Sequence, residues 1–114
     1  MRTWDVVIIR FPFPDGTGAK MRPALVVSKT EDHDAGEDAL FLLITSNIER
    51  QAQYDILIAD THPEFSWTKL AQSSCIRADK IIHLKKTIVC RVLGNLGPQL
   101  IGAVKEKLRQ VLPL

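Results

Sequence analysis

A chain of 114 residues, 46% apolar and 25% charged, can build one modest core and is expected to form one domain, residues 1–114. No apolar run approaches the roughly 20 residues of a membrane span, the opening Met-Arg-Thr-Trp-Asp lacks the pattern of a secretory signal, and Cys75 and Cys90 are too few for a disulfide framework, so free buried thiols in a reducing cytoplasm are expected. The net charge of +2 hides an asymmetry: residues 1–60 carry six Lys/Arg against ten Asp/Glu, net −4, and residues 61–114 carry nine against three, net +6. A basic second half suits a polyanion partner, and suits equally a solvated helix and a charged strand edge.

Trp4 to Phe11 is expected to be the first strand, because the unbroken run Val6-Val7-Ile8-Ile9 is what a strand buried on both faces shows. Pro12 to Met21 reads as a loop, with a turn signal at Pro14-Asp15-Gly16 and added backbone freedom at Gly18. Arg22 to Lys29 is the second strand. Pro23 pushes Arg22 towards an extended conformation, so a fork-shaped cation stands on a stiff base at the mouth of the loop. That arrangement can hold a phosphate, and it is also an ordinary way to begin a surface strand. Thr30 to Asp38 is a charged, solvated loop. Ala39 to Thr45 is a central strand, with a short buried helix as the alternative, and it runs out into Thr45-Ser46-Asn47. Ile48 to Gln53 has the polarity of a helical turn.

Tyr54 to Ala59 is the next strand and Asp60 to Thr68 a loop, with Trp67 beside Leu70 expected to close one end of the core. Cys75 to Ala78 is a strand with Ile76 in and Arg77 out; Ile81, Ile82 and Leu84 either continue it or start a neighbour. Thr87 to Leu93 is a last short strand, punctuated by Gly94 and Gly97. Pro98 suits the first turn of a helix, and Leu100, Ile101, Val104, Leu108, Val111 and Leu112 recur at spacings of three and four until Pro113 stops it. Many short strands and one terminal amphipathic helix predict a mainly-β fold, a small barrel with few exposed edges and a helix over one end.

The familiar metal and nucleotide signatures are missing. There is no H-E-x-x-H, no paired C-x-x-C, no phosphate-binding G-x-x-x-x-G-K-[ST] and no G-x-S-x-G; His33, His62 and His83 lie in separate elements, and no metal or other cofactor is expected. The residues by themselves leave Arg22, the strand end Thr45-Ser46-Asn47 and lysines such as Lys20 as carriers of chemistry.

The stretch F-P-F-P-D-G-T-G-A-K-M-R-P-A-L-V-V-S, preceded by W-D-V-V-I-I-R, resembles the N-terminal signature of the MazF/PemK-like toxins of prokaryotic type II toxin–antitoxin systems. L-L-I-T-S-N resembles the second motif of that family, and C-I-R-A-D-K-I-I-H-L with R-V-L-G-N-L and a terminal helix resembles its third region. The resemblance implies an SH3-like barrel with a C-terminal helix, usually a homodimer, acting in the cytoplasm as a metal-independent endoribonuclease on single-stranded RNA. It also implies a cognate antitoxin whose flexible segment occludes the RNA site. The family's catalytic arginine falls on Arg22 and its catalytic threonine on Thr45; Lys20, Ser46, Arg77 and Lys80 are the expected RNA contacts. Arg77 and Lys80 read equally well as a solvated strand face, and Lys20 as an exposed loop lysine. Two positions depart from the pattern. Trp4 stands where many members have glycine, a change expected to affect only packing, and D-K-I-I-H-L replaces D-Q-I-R-T-L from Asp79 to Leu84.

The implied reaction uses the RNA 2′-OH as nucleophile and leaves a 2′,3′-cyclic phosphate and a 5′-OH. Arg22 can neutralise charge on the phosphoryl oxygens through a bidentate contact, and the Thr45 hydroxyl can donate one more hydrogen bond. An arginine is protonated throughout the working range and makes a poor base, and no other residue is assigned that role. Two rival functions belong to other classes: a toxin of the same fold that poisons DNA gyrase, and a catalytically silent SH3-like interaction module.

Overall fold

Alternation along the first strand sets the two faces of the sheet. In β1 (Asp5–Pro12), Val6 turns towards one apolar cluster, while Val7 and Ile9 turn towards a second on the opposite face. All three are fully buried, which is why the sequence shows an unbroken apolar run rather than an alternating one. In the computed structural model, residues 1–29, 38–49 and 51–114 are described. Of the segment expected as a solvated loop, Thr30 to Asp38, residues 30–37 lie outside them, and Asp38 belongs to a strand instead.

β1 pairs with β2 (Ala19–Val26) on one side and β6 (Val89–Asn95) on the other; β2 continues to β3 (Asp38–Thr45), β3 to β5 (Ser74–Lys85), and β5 to β4 (Asp55–Ile58). Every one of these pairings is antiparallel. A single turn of 3₁₀ helix, Lys86–Ile88, joins β5 to β6. The mainly-β architecture with one long C-terminal helix is as expected, and β3 lies inside the sheet. Among the described residues the hydrogen-bonded ladder ends at β4 and β6.

The first cluster gathers Leu25, Leu42, Ile44, Ile58 and Ile76 around Val6, and helix α2 (Pro98–Val111) lays Leu100 and Val104 across it. The second gathers Ala24, Val26, Ala39 and Phe41 with Val7 and Ile9. β5 serves both. Leu42 faces Ile81 but Ile44 faces Ile76, so two steps along β3 match five along β5. The extra residues fall between Ile76 and Ile81, where Arg77 pairs with Asp55 of β4. The bulge lets one strand feed Ile76 and Ala78 to one cluster and Ile82 and Leu84 to the other. Ile81, Ile82 and Leu84 therefore continue the strand rather than start another.

Four expectations are corrected. Trp67 does not close the core: it is 50% exposed on the short helix α1 (Phe65–Thr68), where Thr68 is buried and Phe65 packs on the first cluster. One helical turn cannot send all its side chains inward, and the inward places at i and i+3 are already taken. Cys90 is exposed; only Cys75 is a buried thiol. No helix forms among the described residues of the stretch 48–53. Gly94 lies within β6 at a register shift rather than beyond its end, and a Cβ there would stand 2.2 Å from the Trp67 carbonyl oxygen, so glycine is what lets α1 sit against the strand.

The start of α2 is anchored from a distance. Glu64, 5% exposed, accepts hydrogen bonds from the backbone N–H of Gln99 at 3.0 Å and of Leu100 at 2.9 Å, supplying partners for two of the donors that a helix N-terminus leaves free. Gly97 makes room, since a Cβ there would fall 2.4 Å from the Glu64 Cδ. No helix among the described residues is long and apolar enough to cross a membrane.

Candidate functional site

Four separate stretches of chain meet where β2 begins and β3 ends. Lys20, Met21, Arg22 and Pro23 come from β2, and Ile44, Thr45 and Ser46 from the end of β3; residues 69–72 and Ser74 follow α1, and Arg91 and Leu93 come from β6. Together with Ile8 they enclose a cleft of about 380 Å³. The antiparallel register explains the meeting. Ile8 stands opposite Pro23 on one side and Arg91 on the other, while Thr45 stands opposite Cys75, one residue past Ser74.

The charge of the cleft is one-sided. Lys20, Arg22, Lys69 and Arg91 line it, and among the described residues no Asp, Glu or His does. Among the described residues none of these four cations has an ion-pair partner. Like charges gathered without counter-charges raise the energy of the empty site and favour an anion that fills it.

Arg22 is half-buried inside β2, which begins three residues earlier at Ala19, rather than at the mouth of the loop as expected. Its Nε is buried with no hydrogen-bond partner among the described residues, and its Cζ lies 5.9 Å from the centroid of the Phe11 ring, at the outer limit of a cation–π contact. Among the described residues the guanidinium has no carboxylate partner, and the Phe11 ring is its aromatic neighbour. Thr45 is fixed differently. Its Oγ1 accepts the backbone N–H of Asn47 at 3.1 Å, which closes the turn after β3 and leaves the hydroxyl proton free to donate.

Of the six residues singled out from sequence, the cleft brings together Arg22, Thr45, Lys20 and Ser46. It does not include Arg77 or Lys80. The Arg77 Nε lies 2.9 Å from an Asp55 oxygen and 3.7 Å from an Asp79 oxygen. The shorter contact is an ion pair rather than a linear hydrogen bond, and Asp55 is almost fully buried beneath it. Lys80 is exposed on the bulged part of β5. Two cations that sequence reasoning passed over, Lys69 and Arg91, line the cleft instead. Arg91 lies in the R-V-L-G-N-L run, where its basic charge was the available signal. Lys69 carried no signal beyond the basic balance of the second half.

Cys75 lies behind the cleft and adds no nucleophile to it. Burial, and then the nearby Asp55 carboxylate, push its thiol above the usual range, with Arg77 opposing them. Among the described residues no three His, Cys, Asp or Glu side chains come together as a ligand set.

The sequence profile of the PemK-like, MazF-like toxins of type II toxin–antitoxin systems matches residues 2–112. No curated protein matches the chain significantly. Among solved structures, the chain is similar to an endoribonuclease in complex with its cognate antitoxin from a mycobacterial species, at 21% identity and a TM-score of 0.75, over 100% of this chain and 96% of that one. It is similar to the Mycobacterium tuberculosis toxin MazF-mt6 at 17% identity and a TM-score of 0.77, over 96% and 97% of the two chains. It is also similar to a chain of a MazE–MazF complex from Deinococcus radiodurans at 19% identity and a TM-score of 0.79, over 100% and 97%. At these identities the structural likeness speaks for the fold alone.

Proposed function

The chain belongs to the PemK-like, MazF-like toxins of type II toxin–antitoxin systems, and from that premise we propose that it is a metal-independent endoribonuclease that cuts single-stranded RNA in the cytoplasm. The observation that carries the reading is the cleft in which Arg22 and Thr45 stand among further cations with, among the described residues, no carboxylate opposite them. RNA supplies the matching charge on its phosphates and the nucleophile in its own 2′-OH. Attack of the 2′-oxygen on the neighbouring phosphorus expels the 5′-oxygen and closes a 2′,3′-cyclic phosphate. Arg22 binds the phosphoryl oxygens as their negative charge grows, and the Thr45 hydroxyl donates to one of them. Both groups are positioned before substrate arrives, which is where electrostatic catalysis gains its advantage.

Two partners complete the proposal. A cognate antitoxin restrains the enzyme, in keeping with the antitoxin complexes of the mycobacterial and Deinococcus proteins, and a second copy of the chain forms a homodimer. Of the rival readings, a silent interaction module gives no reason for unpaired cations around a threonine hydroxyl, and the gyrase-poisoning reading loses support from a chain that ends Val-Leu-Pro-Leu, with no aromatic residue there.

The test is incubation of purified protein with a long single-stranded RNA, and with DNA of the same sequence, in excess EDTA. RNA is expected to be cut and DNA to stay intact. Activity lost in EDTA and restored by a divalent ion would exclude the metal-free mechanism. Inhibition of DNA gyrase with no RNA cut would replace the whole reading by its rival. Light scattering at micromolar concentration is expected to give the mass of a dimer.

A further inference from the structure

Lys69 is one of two described non-glycine residues with positive φ: φ 58°, ψ 18°, against φ 71° at Trp4. A side chain in this left-handed region is disfavoured, and glycine would take the position without penalty. The neighbours leave no choice of backbone. Thr68, fully buried, donates its hydroxyl to the Phe65 carbonyl at 2.7 Å and accepts the Leu70 N–H at 3.2 Å, while Leu70 packs on the first cluster. A residue with a Cβ carries a backbone cost here, which its side chain can offset. At Trp4 the offset is packing, since the indole lies against the first cluster. At Lys69 it is not packing: the residue is exposed, and among the described residues its ammonium has no hydrogen-bond or ion-pair partner. What the side chain does is line the cleft beside Arg22 and Thr45.

The charge count points the same way. One phosphodiester carries a single negative charge, and Arg22 with Thr45 is equipped to hold it. Lys20, Lys69 and Arg91 add three cations that this phosphate does not need. A strand of RNA brings one more anion with every nucleotide. We infer that Lys69 binds a phosphate flanking the one that is cut, and that the chain keeps a strained lysine at the end of α1 for that contact. The inference rests on the endoribonuclease reading and names a substrate contact within it. Lys69 binds ground state and transition state alike, so its loss falls on KM rather than kcat.

The experiment uses the full chain and a defined single-stranded RNA, with Lys69→Gly, Lys69→Arg and, as a distant loss of charge, Lys85→Ala. Lys69→Gly is expected to raise KM about tenfold, as for loss of a weak charge-assisted contact, with kcat within about twofold of wild type. Its plot of log KM against log salt should be shallower by about 0.7, the value for one phosphate contact on a single strand. The loss should be uniform across RNA sequences, and Lys69→Gly should melt at or above the wild-type temperature, because glycine relieves the backbone. Lys69→Arg should restore both KM and the salt slope, and Lys85→Ala should change neither. If wild type cuts RNA and Lys69→Gly keeps its KM and slope, the assignment of Lys69 is overturned and the endoribonuclease reading stands. A lower melting temperature for Lys69→Gly also overturns it, since the side chain would then serve the fold. If wild type neither binds nor cuts RNA, the functional reading falls and takes Lys69 with it.

Discussion

Replacing Glu64 by alanine should be among the most damaging single changes outside the two apolar clusters. The carboxylate accepts from the N–H of Gln99 at 3.0 Å and of Leu100 at 2.9 Å, where the helix dipole favours negative charge. Hydrogen bonds to a charged group contribute roughly 1.5–3 kcal/mol each. Water can reach the Gln99 N–H once the carboxylate is gone, so that bond is largely replaced. The Leu100 N–H is buried, so it loses its partner outright. A loss of about 3 kcal/mol follows, which for a chain of this length lowers the melting temperature by about 12 °C. Glu64→Gln keeps one acceptor oxygen but turns an N–H₂ towards the other donor, so it should lie between alanine and wild type. Because the pair is buried, the deficit should change little between low and high salt. Thermal and urea melts of the three proteins test this. If Glu64→Ala melts within about 2 °C of wild type, the account of how α2 is anchored is wrong. Glu64 also precedes α1, whose C-terminal cap is Lys69, so its loss should loosen one wall of the cleft as well.

The remaining predictions concern the site and its surroundings. Arg22→Ala and Thr45→Ala should each lower single-turnover cleavage by at least about 10²-fold with melting temperatures little changed, Arg22→Ala being the worse and Arg22→Lys recovering only part, since it keeps the charge without the fork; a near-wild-type rate for Arg22→Ala would remove the active-site assignment. In the folded protein a thiol reagent should label Cys90 and spare Cys75 until denaturant is added, and equal labelling of both would contradict the burial of Cys75. The Cys75 thiol is raised by burial, so the folded state resists forming the thiolate. Its contribution to stability is complete below the unfolded thiol value of about 8.5 and is lost as pH climbs beyond it. Cys75→Ser should blunt the alkaline fall in melting temperature.

Much of the fold was legible because its strands are apolar runs bounded by turn residues and its long helix is amphipathic. Val6 to Ile9, Ala24 to Val26 and Ala39 to Ile44 announce buried strands in any context. β5 was legible only in halves, since its polar middle, Arg77 to Lys80, looks like a break and is instead a bulge satisfied by β4. Trp67 misled because hydrophobicity says what a residue prefers, while a one-turn helix with two inward places decides what it gets. At the site, Arg22 and Thr45 stood out through their motifs, whereas Lys69 and Arg91 could not. The cleft is assembled from distant segments, and no local pattern records that a lysine after α1 and an arginine in β6 will face the start of β2.

Trp4 shows how a sequence oddity becomes physical once φ is known. A tryptophan at the position where the family resemblance implies glycine was expected to affect packing alone. The backbone there has φ 71°, fixed from both sides, since the Trp4 N–H donates to the Val26 carbonyl at 2.8 Å and the Trp4 carbonyl accepts the Leu96 N–H at 3.0 Å. Glycine is thus favoured at this position by conformation, and this chain carries a strained residue whose indole recovers the cost by packing on the first cluster, with the Lys105 Nζ 5.9 Å from the ring centroid. Trp4→Ala and Trp4→Gly lose the same packing, about 2 kcal/mol for a half-buried indole. They differ in the backbone. Alanine keeps a left-handed penalty of about 1–2 kcal/mol, while glycine sheds it and gives back about 0.4–1 kcal/mol through its freer unfolded chain. Trp4→Gly should therefore melt about 2–4 °C above Trp4→Ala, the reverse of the order at an ordinary extended position. If alanine melts higher, the left-handed conformation at Trp4 does not persist in solution, and backbone strain does not govern this position.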